Sequence, residues 1–408
     1  MPSAQKQLEL ADARSLIGTS GFGPTKTTKT TKTNTATKTN TATKTNTANT
    51  ATTATAATVG VELESFAVPS IHPERLPAVA LPAGSRLSFE PGGQVELSSP
   101  PQATVAAACD TLSTDLTAVR DAFSPLGVSL VQSGISSSPP PRLLDSPRYQ
   151  AMEAYFDTQW AGAGRGMMCG TASVQVNLGL GTGAGVGRRW RAANVLGPVL
   201  AAAFSSSPSA RGCGSQRLAT WLRLDPSRTA PVPSGNGYRQ GDGLRRAWID
   251  YALDANVMLM RTEAGHQPII DEPITARAWI ERGHPHGWPT ADDLAYHLTT
   301  LFPPVRPRGW LELRMIDALP DPWWRVPVAV AAVLVDDEEA VRACEPVADR
   351  WWEAAVDGMA DPPIAAAGAV CAERALAGLH RVGVDVGTTL MVEQWATTVR
   401  KGCEPPWQ

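Results

Sequence analysis

The sequence predicts an α+β fold, with strands spread through the first three quarters of the chain and a helical region at its end. Three observations carry that. Four short stretches read as strands with apolar and polar faces in period two: Val61-Glu62-Leu63-Glu64, Gln94-Val95-Glu96-Leu97, residues 171–178 and Trp310-Leu311-Glu312-Leu313-Arg314-Met315. A later stretch places Val105, Cys109, Leu112, Leu116, Val119 and Phe123 at steps of four and three, the spacing of a helix burying one stripe. Residues 323–401 are Ala-rich and helical in pattern, broken at Pro346, Pro362-Pro363 and residues 383–387.

Side chains of a strand alternate between its two faces. Val61, Leu63, Val95, Leu97, Val174, Val176, Leu311 and Leu313 therefore pack on a core. Glu62, Glu64, Glu96, Gln175, Asn177, Glu312 and Arg314 share the opposite face if the strands pair in one antiparallel sheet. A single pair of carboxylates is the ordinary solvated side of such a sheet. Here Glu96 and Glu312 repeat the pattern and no lysine joins the face, so the like charges need a counter-ion. Hard Mg²⁺ with oxygen ligands and nucleotide phosphates suits that face. Arg314 is then either the partner of a carboxylate or a clamp on phosphate.

Along the chain, residues 1–24 form a short N-terminal helix in which Lys6, Glu9, Asp12 and Arg14 interrupt any apolar run. Residues 25–58 repeat Thr, Lys, Asn and Ala with almost nothing to bury, and are expected to be disordered. Residues 59–408 make up a single domain. Glu90-Pro91-Gly92-Gly93 is a turn between two strands. Pro125 and Gly127 stop the first long helix. Ser146-Pro147 is an N-cap followed by proline at the first helical position, opening a helix that presents Arg148, Tyr149, Met152 and Tyr155. Residues 179–187 alternate glycine without dinucleotide-binding spacing and are read as a flexible loop. Residues 243–255 are helical and lead into an apolar strand at 256–260.

Composition excludes several classes. With 408 residues, 43% apolar, the chain can bury a substantial core. A net charge of -3 gives no basic footprint for nucleic acid. The longest apolar run, residues 326–335, is too short to span a membrane. Six scattered cysteines without zinc spacing, and no secretory signal, fit a reducing cytoplasm. Cys169 reads as a core residue in an apolar strand, and His284-Pro285-His286 as a pair without a third metal ligand. Arg217 and Arg228, flanking Trp221 and Asp225, are either surface charges or groups that recognise a substrate carboxylate.

Several segments taken together are similar to one enzyme family. Gly60-Val61-Glu62-Leu63-Glu64, residues 90–98, Arg148-Tyr149-x-x-Met152-x-x-Tyr155, Met167-Met168 through Asn177, residues 250–254, Leu301-Phe302-Pro303-Pro304-Val305-Arg306 and residues 310–314 resemble the glutamate-cysteine ligases of plant and actinobacterial type. The nearest likeness is to the actinobacterial enzyme that makes γ-glutamylcysteine for ergothioneine. The resemblance implies a funnel-like antiparallel sheet of the glutamine synthetase type, ringed by helices, with L-glutamate, L-cysteine, ATP and Mg²⁺ as its small molecules. It implies Glu62, Glu64, Glu96, Gln175 and Glu312 as metal ligands. Arg314 would contact ATP phosphates, with Glu62 and Asn177 also in the nucleotide site. Arg217 would hold the carboxylate of glutamate, with Arg148, Tyr149, Met152, Tyr155 and Arg228 lining the pocket. Chemistry of this kind passes through γ-glutamyl phosphate, with Arg314 and Glu62 as its catalytic groups. Two departures stand out: Leu178-Gly179 replaces the family's Leu-Asp, and the threonine-rich tract interrupts the passage from the first helix to the first strand. Another amine acceptor, or a catalytically silent homologue that only binds, are the competing readings.

Overall fold

The alternating stretches do become one sheet. The computed structural model describes residues 8–23, 58–136, 138, 141–209, 212–233, 243–262, 265–402 and 405–407. The threonine-rich tract, and the disorder expected of it, lie outside the described residues.

The strands are β1 (Val59–Val68), β2 (Arg86–Phe89), β3 (Val95–Ser98), β4 (Ser129–Val131), β5 (Val174–Gly179), β6 (Leu259–Thr262), β7 (Gly265–Pro268), β8 (Val305–Pro307) and β9 (Trp310–Leu313). Seven of them form an antiparallel sheet in the order β2-β3-β1-β5-β9-β8, with β4 added to the far end of β1. The sheet is open, with β2 and β8 at its ends. A separate hairpin joins β6 to β7.

The turn expected at residues 90–93 links β2 to β3. Gly93 sits there at φ +82°, a left-handed conformation that a β-carbon would strain. On the apolar face Val61, Leu63, Val95, Leu97, Val174, Val176, Leu311 and Leu313 are all buried, as expected. They share one core with the helices Val105–Phe123, Ala184–Ala203 and Arg325–Leu334. The helix Val105–Phe123 buries every residue of its stripe and is capped by Thr104, whose hydroxyl accepts from the Ala107 N–H. The helix Pro147–Asp157 begins as expected, with the Ser146 hydroxyl accepting from the Tyr149 N–H.

Three local readings are corrected. Cys169 lies in the helix Ala163–Gly170, not in a strand. The glycine-rich stretch runs directly into the helix Ala184–Ala203, because Gly181 and Gly183 take positive φ and turn the chain into its first turn. The strand expected at 256–260 starts later, at Leu259, since Val257 pairs with the segment before the next helix instead. Cys109, Cys169, Cys344 and Cys371 are buried free thiols, whereas Cys213 is disulfide-bonded, against the expectation of reduced cysteines throughout. No helix among the described residues is long and apolar enough to cross a membrane.

Candidate active site

Register decides what the polar face can do. Glu64 stands directly opposite Glu96, Glu62 opposite Gln175, and Asn177 opposite Glu312, which in turn faces Arg306 on β8. The face is not a solvated one. Glu96, Gln175 and Glu312 are buried, Glu312 completely, and Glu62 and Glu64 are partly covered.

Each carboxylate has defined partners. Glu64 accepts from the Ser173 N–H at 2.7 Å and from Gln175 Nε2 at 3.1 Å. Glu62 accepts from Asn177 Nδ2 at 3.1 Å, and the Asn177 carbonyl accepts from Trp310 Nε1 at 3.0 Å. Glu96 Oε1 accepts from the Ser88 hydroxyl at 2.5 Å, with Arg86 at 3.5 Å. Glu312 takes three guanidinium donors. Oε2 accepts from Arg306 Nε at 2.6 Å and Arg314 Nη1 at 3.2 Å, and Oε1 from Arg308 Nη1 at 3.1 Å. Arg314 Nη1 also donates to Gln175 Oε1 at 2.7 Å, which ties the cationic end of the face to its acidic end.

Charge follows from these surroundings. Burial, then the Glu90 charge, pushes Glu64 up to about 7, with Glu96 adding to the rise against Arg217 and Arg314. Burial and the neighbouring Glu312 also raise Glu62. Glu312 behaves oppositely: burial favours its neutral form, but Arg306, Arg314 and Arg308 together hold it ionised well below the usual carboxylate range. Burial pulls Arg306 down to about 10, still protonated at neutral pH.

Among the described residues no three His, Cys, Asp or Glu side chains already close into a metal cage. The donor set nonetheless fits a hard divalent cation. Glu64 and Glu96 are hard oxygen donors facing each other across a strand pair, and the burial and acidic neighbours that raise Glu64 to about 7 are what a bound cation would offset. On Glu312, where Oε2 already has two donors and Oε1 one, the remaining acceptor capacity is on Oε1.

Arg217 is buried in the helix Gln216–Arg223, whose N-cap Ser215 hydroxyl accepts from the Leu218 N–H. Its Nη2 donates to the Arg314 carbonyl at 2.9 Å, so it meets the polar face at the end of β9. The aromatic set forms a second buried cluster of Tyr149, Met152, Tyr155 and Met168, with Trp221 and Phe302 packed against it. Phe302 joins the two regions, its ring centre 5.9 Å from Arg314 Cζ and 5.4 Å from the Trp221 ring.

Two sequence-predicted pocket residues are engaged elsewhere. Arg228 is fully buried, and its guanidinium is shared among Asp225, both oxygens of Thr300 and the Asn256 carbonyl. The Tyr155 hydroxyl donates to the same Asp225 at 2.6 Å, so these buried groups brace one another. Arg148 donates to the hydroxyl and carbonyl of Thr299 and lies over the Tyr296 ring. His284 and His286 hold each other in a loop, with rings 5.0 Å apart.

Arg306, Arg308 and Glu90 belong to the site although sequence reasoning gave them no role in it. A charged residue at every second position on either side of Pro307 was the available signal for the two arginines, and Glu90 was visible only as part of its turn. A recess lined by Ala202, Ala203, Met359 and Trp395 opens among the helices, away from these groups and nearly without titratable side chains. It is not the site.

Comparison with known proteins identifies relatives over most of the chain. The profile of Glutamate-cysteine ligase family 2 (GCS2) matches residues 42–402. The chain is 38% identical over 350 residues to glutamate–cysteine ligase EgtA of Mycolicibacterium smegmatis, spanning 79% of this chain and 81% of that one. It is 37% identical over 327 residues to the protein of the same name from Mycobacterium tuberculosis, spanning 74% and 75%. The chloroplastic glutamate–cysteine ligase of Arabidopsis thaliana is 30% identical over 282 residues, 64% of this chain and 51% of that one. Among solved structures, a chain described as a novel glutamine synthase homolog overlaps 84% of this chain and 64% of its own at 12% identity, with a TM-score of 0.29, too loose to carry an argument. On the extent of its matches, the chain belongs to glutamate-cysteine ligase family 2.

Proposed function

We propose that this chain joins the γ-carboxylate of L-glutamate to the amine of L-cysteine at the expense of ATP, giving γ-glutamylcysteine for ergothioneine synthesis in the cytoplasm. The observation that carries the reading is the buried face on which Glu62, Glu64, Glu96 and Gln175 lie beside Arg314, in a chain 38% identical to a glutamate–cysteine ligase across most of its length.

A carboxylate is a poor acyl donor. The glutamate γ-carboxylate first attacks the γ-phosphorus of ATP, forming γ-glutamyl phosphate and releasing ADP. The cysteine amine then attacks the acyl carbon, and phosphate leaves. Glu62, Glu64, Glu96, Gln175 and Glu312 would hold Mg²⁺, which when bound neutralises charge on the phosphates. Arg314, already on the acidic face, supports the negative oxygens of the transferring group. Arg217 orients glutamate through its carboxylate, and Tyr149, Met152 and Tyr155 exclude water from the pocket. The residues supply orientation and charge, and no covalent enzyme intermediate is required.

A second reading, with another amine as acceptor, draws on one observation. Gly179 ends β5 opposite Trp310, so that end of the strand offers no acidic side chain to a substrate. One assay separates the two. The full chain is incubated with Mg-ATP, L-glutamate and a panel of amino acids and amines, and products are read by mass. The expected result is γ-glutamylcysteine with equimolar ADP and phosphate. Turnover only with a different acceptor would select the second reading, and ATP-independent or absent product would reject both.

A further inference from the structure

Buried hydrogen-bond donors without a partner are rare in folded proteins, and a group of them beside an active site marks the place of a ligand. Two such donors sit on one face of the helix Gln216–Arg223. Arg217 Nε and Trp221 Nε1 are both buried without a hydrogen-bond partner among the described residues. Four residues apart on a helix, their β-carbons are neighbours at about 5–6 Å. The Arg217 guanidinium is anchored through its other two nitrogens, Nη2 to the Arg314 carbonyl at 2.9 Å and Nη1 to the Ile316 carbonyl at 3.5 Å, which leaves Nε as its one nitrogen without a partner among the described residues. Trp221 is fixed by packing instead, edge-on against Phe302, the ring that also lies beneath Arg314. Ser173 Oγ is likewise buried and unpaired, next to the backbone N–H that holds Glu64.

Two adjacent donors, one of them a guanidinium, complement an acceptor with two oxygens. Resting on the function proposed above, we propose that Trp221 is a substrate-binding residue whose indole N–H donates to the α-carboxylate of bound glutamate, beside Arg217 Nε. The γ-carboxylate then extends toward Arg314 and the acidic face, and a substrate with an amide at the α position offers one acceptor oxygen in place of two and no charge, leaving one of the two buried donors unsatisfied. Trp221 is thus a determinant of specificity for an α-carboxylate.

Trp221→Phe keeps the ring against Phe302 and removes only the N–H, whereas Trp221→His restores a ring N–H. Kinetics of the full chain are measured for glutamate, cysteine and ATP, and for isoglutamine, in which the α-carboxylate is an amide. Loss of a hydrogen bond to a charged acceptor should raise the glutamate KM about tenfold in Trp221→Phe. The KM values for ATP and cysteine should stay within about twofold by the same reasoning, since neither would touch the indole. Preference for glutamate over isoglutamine should fall in Trp221→Phe and recover in part in Trp221→His. A purely structural role would not move that preference. An unchanged glutamate KM and preference, or a rise confined to cysteine, overturns the assignment while leaving the function standing. Absence of γ-glutamyl product from the wild-type chain overturns both.

Discussion

Arg306→Met isolates the electrostatics of the cationic end of the site. The residue is nearly fully buried, its Nε 2.6 Å from Glu312 Oε2 and its Nη1 2.9 Å from the Leu301 carbonyl. Breaking a buried ion pair by removing one partner costs about 3–5 kcal/mol, because a charge is left without compensation. Glu312 still has Arg308 and Arg314, so the cost should lie near the lower end, about 3 kcal/mol. Glu312→Gln relieves the stranded charge, so the double variant should be more stable than the sum of the two single losses implies, by about 2 kcal/mol. Urea denaturation followed by tryptophan fluorescence at neutral pH gives all four free energies. Additivity within about 0.5 kcal/mol would refute the reasoning, since the two side chains would then not be coupled. In the folded single variant Arg314 loses its competitor for Oε2 and should draw toward Glu312 and away from Gln175, lowering kcat/KM for ATP.

Three further outcomes are expected. The His297 ring is buried against the Ala252 carbonyl, and burial pulls it down to about 4 from the ordinary 6.5. A histidine depressed in the folded state stabilises above pH 6.5 and loses that stability as pH falls toward 4, here about 3 kcal/mol; His297→Asn should flatten the decline in urea stability over this window, and equal slopes would refute the assignment. Mg²⁺ at a hundredfold excess over its dissociation constant should stabilise the wild type by about 2.7 kcal/mol, read as a thermal shift, and Glu64→Gln should lose most of it; an identical shift in the variant would remove Glu64 from the metal set. Deleting residues 25–57 should leave ATP-dependent turnover within about twofold of wild type, because loop-closure cost changes slowly with length, and a large loss would reveal a role for the tract.

The acidic face was legible in the sequence because period-two alternation survives in short strands, and because the residues on it belong to apolar neighbours that must point the other way. Pairing was not legible. That Glu64 meets Glu96 while Glu62 meets Gln175 depends on how strands distant in sequence align, which alternation alone leaves open. Arg306 escaped notice because β8 has three residues and a proline, too few for a pattern. Arg228 carried the right chemistry for a substrate carboxylate, yet its donors are shared among Asp225, Thr300 and Asn256. Burial depth, which separates a brace from a binding group, has no signature in a single arginine codon. The helix start at Ala184 was hidden because glycines at 181 and 183 look like a loop until their positive φ angles turn the chain.

The four cations around β9 are all arginine: Arg306, Arg308 and Arg314 on Glu312, and Arg217 on the Arg314 carbonyl. From residue 59 to residue 400 the sequence holds no lysine at all. A mixed anhydride such as γ-glutamyl phosphate acylates any free amine within reach, and a lysine beside it would be a competing nucleophile that inactivates its own enzyme. Guanidinium groups stay protonated and do not attack. On the function proposed here, the charge that meets phosphate would be supplied by groups immune to self-acylation, and no lysine of residues 59–400 would compete with the incoming amino acid.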